Sequence, residues 1–301
     1  MRVVIALGGN ALVRKGERPD TDIQAERLRE AAAAVAEVAA EHEVVVTHGN
    51  GPQIGMLALQ AAALAGGRET PLDIFGAESE GLIGYMIERA LAAALPGRDI
   101  ATLLTMVEVD AGDPAFAHPS KPIGPWYDAA EARGLEAERG WHFVADGERK
   151  RRVVPSPIPQ RILELPTIRL LVENGVLVIC AGRGGIPVAL GADGAIRGID
   201  AVIDKDRAAA VLAQGLGADA LLLLTYVDAV YRDWGTKDAE PIATLSPGDA
   251  AALTLDPGSM GPKVEAAAAF VAGGGALAGI GRLEAAGDIL AGRAGTTVRQ
   301  R

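Results

Sequence analysis

The chain has 301 residues, 49% of them hydrophobic and only 4% aromatic, with a mean hydropathy of +0.20. Its net charge of −10 and pI near 5.0 argue against general binding to nucleic acid or to an anionic membrane. Arg2 is followed by only five apolar residues, too few for an export signal. The longest uncharged stretch, 266–281, is broken by glycine and makes a poor membrane span, so a cytoplasmic protein is expected.

Residues 3–7 are a near-continuous, β-branched apolar run, predicted as a fully buried strand that ends at Gly8-Gly9-Asn10. The next helix has Thr21 and Gln24 placed as a capping box. Its apolar stripe is Leu28, Ala31, Val35, Val38 and Ala39. Residues 44–46 form a second buried strand, running into Thr47-His48-Gly49-Asn50-Gly51-Pro52-Gln53 and a helix over 54–65. A helix over 82–94 and a strand over 100–109 continue the alternation.

Residues 110–166 break the rhythm with many prolines, two Trp and little periodicity, as an inserted subdomain would. The run Arg149-Lys150-Arg151-Arg152 within them is expected as a solvated or partner-facing loop. Alternation resumes with a helix over 167–174, strands over 176–180 and 186–190, a helix over 208–214 and a strand over 221–227. Helices over 246–253 and 262–271 and a strand–helix pair over 276–290 complete it. This pattern predicts an α/β fold, with helices on both faces of a parallel or mixed sheet. The single cysteine, Cys180, excludes an intrachain disulfide framework and sits in an apolar run as a small core residue.

Six of the 29 Lys and Arg residues are Lys, so this chain uses Arg for ordinary surface charge. Three of the six lie in unusual settings: Ser120-Lys121-Pro122-Ile123-Gly124-Pro125, Asp204-Lys205-Asp206 and Met260-Gly261-Pro262-Lys263. Stiff Pro and Gly neighbours fix a backbone for positioning. An isolated Asp-Lys-Asp reads first as a weak surface ion pair. Three placed ammonium groups on an acidic protein instead suggest a polyanionic, phosphate-bearing substrate. Asp204 or Asp206 falls at a helix start, where a carboxylate accepts backbone N–H bonds.

Gly8-Gly9-Asn10 and Gly49-Asn50-Gly51 both follow buried strands. Ligands of open α/β sheets sit at such carboxyl ends, and glycine lets backbone N–H groups approach an anion. Neither loop matches the P-loop or the dinucleotide fingerprint. The four His show no metal-ligand spacing, and no Gly-x-Ser-x-Gly elbow is present.

Together, Ala6-Leu7-Gly8-Gly9-Asn10-Ala11-Leu12, Val46-Thr47-His48-Gly49-Asn50-Gly51-Pro52-Gln53-Ile54-Gly55, Lys121-Pro122-Ile123-Gly124-Pro125, Arg152-Val153-Val154-Pro155-Ser156-Pro157, Ala201-Val202-Ile203-Asp204-Lys205-Asp206 and Gly258-Ser259-Met260-Gly261-Pro262-Lys263 resemble the carbamate kinases, a branch of the amino acid kinase family. The resemblance spans nearly the whole chain in order. It implies a three-layer αβα sandwich around a mainly parallel open sheet, as a single domain over 1–301. A protruding subdomain would occupy 110–166, in the carbamate- and phosphate-binding N-terminal half, with a nucleotide-binding half over 186–301.

The resemblance also implies a homodimer, a place in arginine metabolism, and Mg²⁺-dependent phosphoryl transfer between carbamoyl phosphate with ADP and carbamate with ATP. The ion would be held mainly by substrate phosphates. By the same resemblance Lys205 and Lys263 steady the phosphoryl group in flight, Asp206 orients them, and Lys121 reaches over to the carbamoyl phosphate. Gly8, Gly9, Asn10, Gly49, Asn50 and Gly51 would cradle substrate. Asp204, Tyr226, Val227, Met260 and Lys263 would lie by the nucleotide.

Three departures from that pattern stand out. Arg183 takes the place of a common Gly, Glu78 and Glu80 replace Met and Gln, and Tyr226 replaces a frequent Asp. They are expected to tune affinity without abolishing catalysis. The alternatives are another acid or phosphate kinase of the same superfamily, and a non-catalytic regulator that holds nucleotide or carbamoyl phosphate.

Overall fold

A computed structural model of the chain describes residues 1–9, 21–49, 57, 70–256 and 258–301. Its centre is an eight-stranded sheet. The strands run in the order Thr244–Leu245, Thr296–Val298, Leu277–Arg282, Ala220–Thr225, Arg2–Leu7, Glu43–His48, Leu177–Ile179 and Ile100–Thr102. Every neighbouring pair is parallel except Leu277–Arg282 with Thr296–Val298.

Side chains alternate across the pleat, so each central strand feeds two cores. Val4, Ala6, Val45, Val178, Leu221 and Leu223 face one core, with the helices Lys205–Leu216 and Met260–Ala272. Val3, Ile5, Val44, Val46, Leu222 and Leu224 face the other, with the helices Thr21–Ala39, Leu72–Ala94 and Ala286–Leu290. The result is the expected αβα sandwich, in which strands apolar on both faces are buried on both faces. Alanine dominates the inward sides of the helix Lys205–Leu216, which lets helix and sheet pack closely despite few aromatics. Cys180 is buried in the first of these cores.

Three local readings are corrected. The helix expected over 82–94 starts ten residues earlier, at Leu72, because Pro71 precedes it and Asp73 sits in its first turn. Glycines at 76 and 84 serve packing there: a Cβ on Gly84 would lie 2.4 Å from Thr102 Cγ2. The strand expected over 100–109 is two strands in two sheets. Ile100–Thr102 ends the central sheet, whereas Met106–Val109 joins a four-stranded sheet with Ile196–Gly198, Ile186–Leu190 and Pro159–Ile162. The basic run is not a loop: it lies on the strand Arg149–Val154.

That strand is the middle of a three-stranded antiparallel sheet with Lys121–Tyr127 and His142–Asp146. The helix Ala129–Arg139 connects two of its strands, opened by a capping box of Asp128 and Glu131 and closed by Gly140 in the left-handed region. Arg151 stacks on Trp126 and Arg152 on Trp141, with Arg152 Cζ 3.7 Å from the ring centroid. The helix expected over 54–65 lies outside the described residues apart from Leu57, as does the Thr21 side chain of the expected capping box.

Candidate active site

The carboxyl ends of the central strands open into a cleft of about 1200 Å³. Leu7 gives way there to Gly8 and Gly9, His48 to Gly49, and Thr225 to Tyr226, all of which line it. The strand Lys121–Tyr127 brings Lys121 and Trp126 to the opposite wall.

The helix Lys205–Leu216 begins at the cleft. Asp204 is its N-cap, with Oδ1 accepting from the backbone N–H groups of Asp206 (3.0 Å) and Arg207 (3.2 Å). Its other oxygen accepts from Lys121 Nζ at 2.6 Å. Asp206, in the first turn, takes Lys205 Nζ on Oδ1 (2.5 Å) and Lys263 Nζ on Oδ2 (2.9 Å). Lys263 comes from the first turn of the helix Met260–Ala272. One carboxylate thus fixes two ammonium groups from two helix starts, and a second anchors Lys121.

Electrostatics follow from burial and pairing. Burial pushes the Asp206 carboxyl up, but Lys205 and Lys263 outweigh it and hold the carboxyl at about 2. Burial lowers the Lys205 pKa against the opposing pull of Asp206, with Lys263 adding to the fall. Burial also works against the Asp204 charge, yet Lys121 draws its pKa below the ordinary value.

Gly49 is required by close approach. A Cβ there would lie 2.9 Å from the Gly9 backbone N and 3.2 Å from Lys205 Cδ. The bare backbone of the Gly49 loop is therefore the surface on which the Lys205 stem rests.

Beside it, the chain leaves the strand Leu177–Ile179 through a turn with four residues at positive φ: Ala181 (49°), Arg183 (63°), Gly184 (101°) and Gly185 (84°). Two of these are not glycine, each held at a cost on the order of 1 kcal/mol. Hydrogen bonds brace the turn: Ala181 O accepts from Thr47 Oγ1, Ala181 N donates to Thr105 Oγ1, and Gly182 N donates to Glu80 Oε1 at 2.8 Å. Glu80 Oε2 accepts from Thr105 N. Burial pushes the Glu80 carboxyl up to about 8, against those hydrogen bonds. His48 is buried beside Gly182 and neutral: burial lowers its pKa to about 4, with Nδ1 2.9 Å from Gly49 O.

The residues singled out in the sequence therefore meet. Lys121, Asp204, Lys205, Asp206 and Lys263 form one linked cluster. Gly8, Gly9, Gly49, Tyr226, Val227 and Met260 line the same cleft. Asn10, Asn50 and Gly51 lie outside the described residues. Of the departures, Arg183 lines the cleft, Tyr226 is exposed at its rim, Glu78 is on the outer face of the helix Leu72–Ala94, and Glu80 points inward to the strained turn. Sequence reasoning missed Trp126, Tyr231 and Trp234, which also line the cleft; Tyr231 and Trp234 pack 5.0 Å apart. Trp126 directly follows the Lys-Pro-Ile-Gly-Pro segment, a signal that was available.

The model of the amino acid kinase family matches residues 1–280. The carbamate kinase of Rhizobium meliloti is 51% identical over 286 residues, covering 94% of this chain and 88% of that protein. The Haemophilus influenzae carbamate kinase is 46% identical, covering 100% and 97%. The solved carbamate kinase of Giardia lamblia bound to AMP-PNP superposes with a TM-score of 0.91 at 39% identity, covering 100% of this chain and 98% of that one.

Proposed function

The chain belongs to the carbamate kinase branch of the amino acid kinase family, and from that premise we propose that it moves a phosphoryl group between carbamoyl phosphate and ADP through the lysine cluster of the cleft, running toward ATP. The observation that carries the reading is Asp206 holding Lys205 and Lys263 together at two helix starts. Phosphoryl transfer asks for positioning and charge balance more than for covalent help. Two ammonium groups fixed by one buried carboxylate supply both, without reorganising as charge develops. Carbamate is itself an anion with a nucleophilic oxygen, so the reaction needs no general base.

In this proposal the backbones of Gly8, Gly9 and Gly49 receive the substrate phosphate, and Lys121 covers it from the small antiparallel sheet. Asn10, Asn50 and Gly51 belong to the same cradle. The nucleotide lies along Tyr226, Val227, Met260 and Asp204. We read 110–166 as a protruding subdomain and 186–301 as the nucleotide half of a single domain. Magnesium enters as the counter-ion of the substrate phosphates, since Asp204 and Asp206 are each paired with lysines. No residue is therefore assigned to it. A homodimer is supported by the exposed stripe Ile74, Leu82 and Tyr85 on the helix Leu72–Ala94, with Leu104 beside it. No described helix is long and apolar enough to cross a membrane.

The test is ATP formation from ADP, Mg²⁺ and carbamoyl phosphate, wild type beside Lys205→Ala. The variant is expected to lose on the order of 10²–10³ in kcat. Equal rates for the two proteins would remove Lys205 from the chemistry.

A further inference from the structure

Arg183 holds the left-handed conformation (φ 63°, ψ 2°), which a glycine adopts without strain. The chain nonetheless places its bulkiest cationic side chain there, 7% exposed and lining the cleft. Its Nη1 lies 3.7 Å from where a Cβ on Gly76 would be, so the helix Leu72–Ala94 leaves room for the guanidinium. Among the described residues no hydrogen bond or ion pair holds it. Burial lowers its pKa to about 10, and Glu80, the acidic group that opposes this fall, has both oxygens committed to backbone N–H groups. A buried cation without a counter-ion is costly, and an anionic ligand relieves that cost.

The fold says which part of a ligand Arg183 meets. At the carboxyl ends of the sheet the order is Tyr226, then Gly8 and Gly9, then Gly49 with Lys205 resting on it, then the turn of Arg183. Strands lie about 4.8 Å apart, so the Tyr226 and Arg183 turns are separated by roughly 14 Å, with Lys205 between. In-line transfer puts the nucleotide on one side of the phosphoryl group and the acceptor on the other. Resting on the reading above, Tyr226 is on the nucleotide side and Arg183 on the acceptor side. The turn also packs under the start of the lysine-bearing helix, since a Cβ on Gly184 would lie 2.7 Å from Ile203 O.

We propose that Arg183 is a specificity-determining residue that donates its guanidinium N–H groups to the oxygen atoms at the carbamoyl end of the substrate. A guanidinium fork matches the planar O–C–O of carbamate, and meets the carbonyl oxygen of carbamoyl phosphate through one arm. Its ligand class is thus a small planar carboxylate or acyl phosphate.

The test compares wild type with Arg183→Gly and Arg183→Lys. The glycine variant relieves the backbone strain at φ 63°. Its KM for carbamoyl phosphate is expected to rise about tenfold or more, with kcat within about threefold and the KM for ADP unchanged. Arg183→Lys is expected to fall between. The thermal shift produced by carbamoyl phosphate without ADP is expected in wild type and lost in Arg183→Gly. An unchanged KM and an unchanged shift overturn the assignment. A fall in kcat with both KM values raised, alike in the two variants, overturns it in favour of a role in shaping the turn. If wild type makes no ATP, the kinase reading fails by itself, and the thermal shift alone decides on Arg183.

Discussion

Lys121 and Asp204 are 83 residues apart in sequence, yet Lys121 Nζ lies 2.6 Å from Asp204 Oδ2, joining the small antiparallel sheet to the start of the lysine-bearing helix. Asp204 serves two purposes with its two oxygens, and substitution separates them. Asp204→Asn keeps a capping oxygen but removes the charge; Asp204→Ala removes both. In thermal or denaturant unfolding, the alanine variant is expected to lose about 1 kcal/mol and the asparagine variant much less. Lys121 is one-third exposed, so Lys121→Ala should barely change stability while reducing kcat/KM for carbamoyl phosphate by roughly 10²-fold. Equal stability of the two Asp204 variants contradicts the capping role.

Gly49→Ala tests the resting surface of Lys205. The added Cβ meets the Gly9 backbone N at 2.9 Å, which cannot yield as a side chain can, and presses on the Lys205 stem. The ammonium is displaced from the line set by Asp206. The expected result is a fall in kcat of about 10-fold or more, with the KM for ADP unchanged, since misplacing a positioned group costs rate. Wild-type kcat in this variant would show that the contact does not position the lysine.

Stability should depend on pH through two buried groups of opposite sense. The pKa of His48 falls from 6.5 to about 4 on folding, so its contribution is present above 6.5 and lost as pH falls through 4. The Glu80 pKa rises from 4.5 to about 8, so its contribution is full below 4.5 and lost as pH rises through 8. Denaturant unfolding across pH 4 to 9 checks both. His48→Asn should flatten the acid limb between 6.5 and 4. Glu80→Gln should be less stable than wild type at low pH, where one backbone N–H loses its acceptor, and the gap should close toward pH 8. Parallel profiles for wild type and each variant contradict the assignment.

Much of the architecture was legible in the sequence because its causes are local. Continuous β-branched runs such as residues 3–7 and 44–46 announced strands buried on both faces. The Asp204-Lys205-Asp206 stretch announced a helix start, with Asp204 and Asp206 both open as its cap. The scarcity of lysine and the stiff neighbours of Lys121 and Lys263 marked the site before any geometry was known. Elsewhere local signals misled. Gly76 and Gly81 hid the first ten residues of the helix Leu72–Ala94, because they are spent on room for Arg183 and contact with Leu104. The basic run looked like a loop because its partners, Trp126 and Trp141, lie on other segments.

The sequence alone determined the alternating elements, the glycine-ended strands and the identity of the three lysines, because propensity, capping and periodicity act within a few residues. Only the tertiary structure decided that Asp206 joins Lys205 to Lys263, 57 residues beyond it, and that Asp204 holds Lys121. It alone decided that Glu80 turns inward while Glu78 stays outside, and that Arg183 is buried where it lines the cleft. Charge pairing and burial depend on which strands become neighbours, and that order is set by the whole sheet rather than by any stretch of chain.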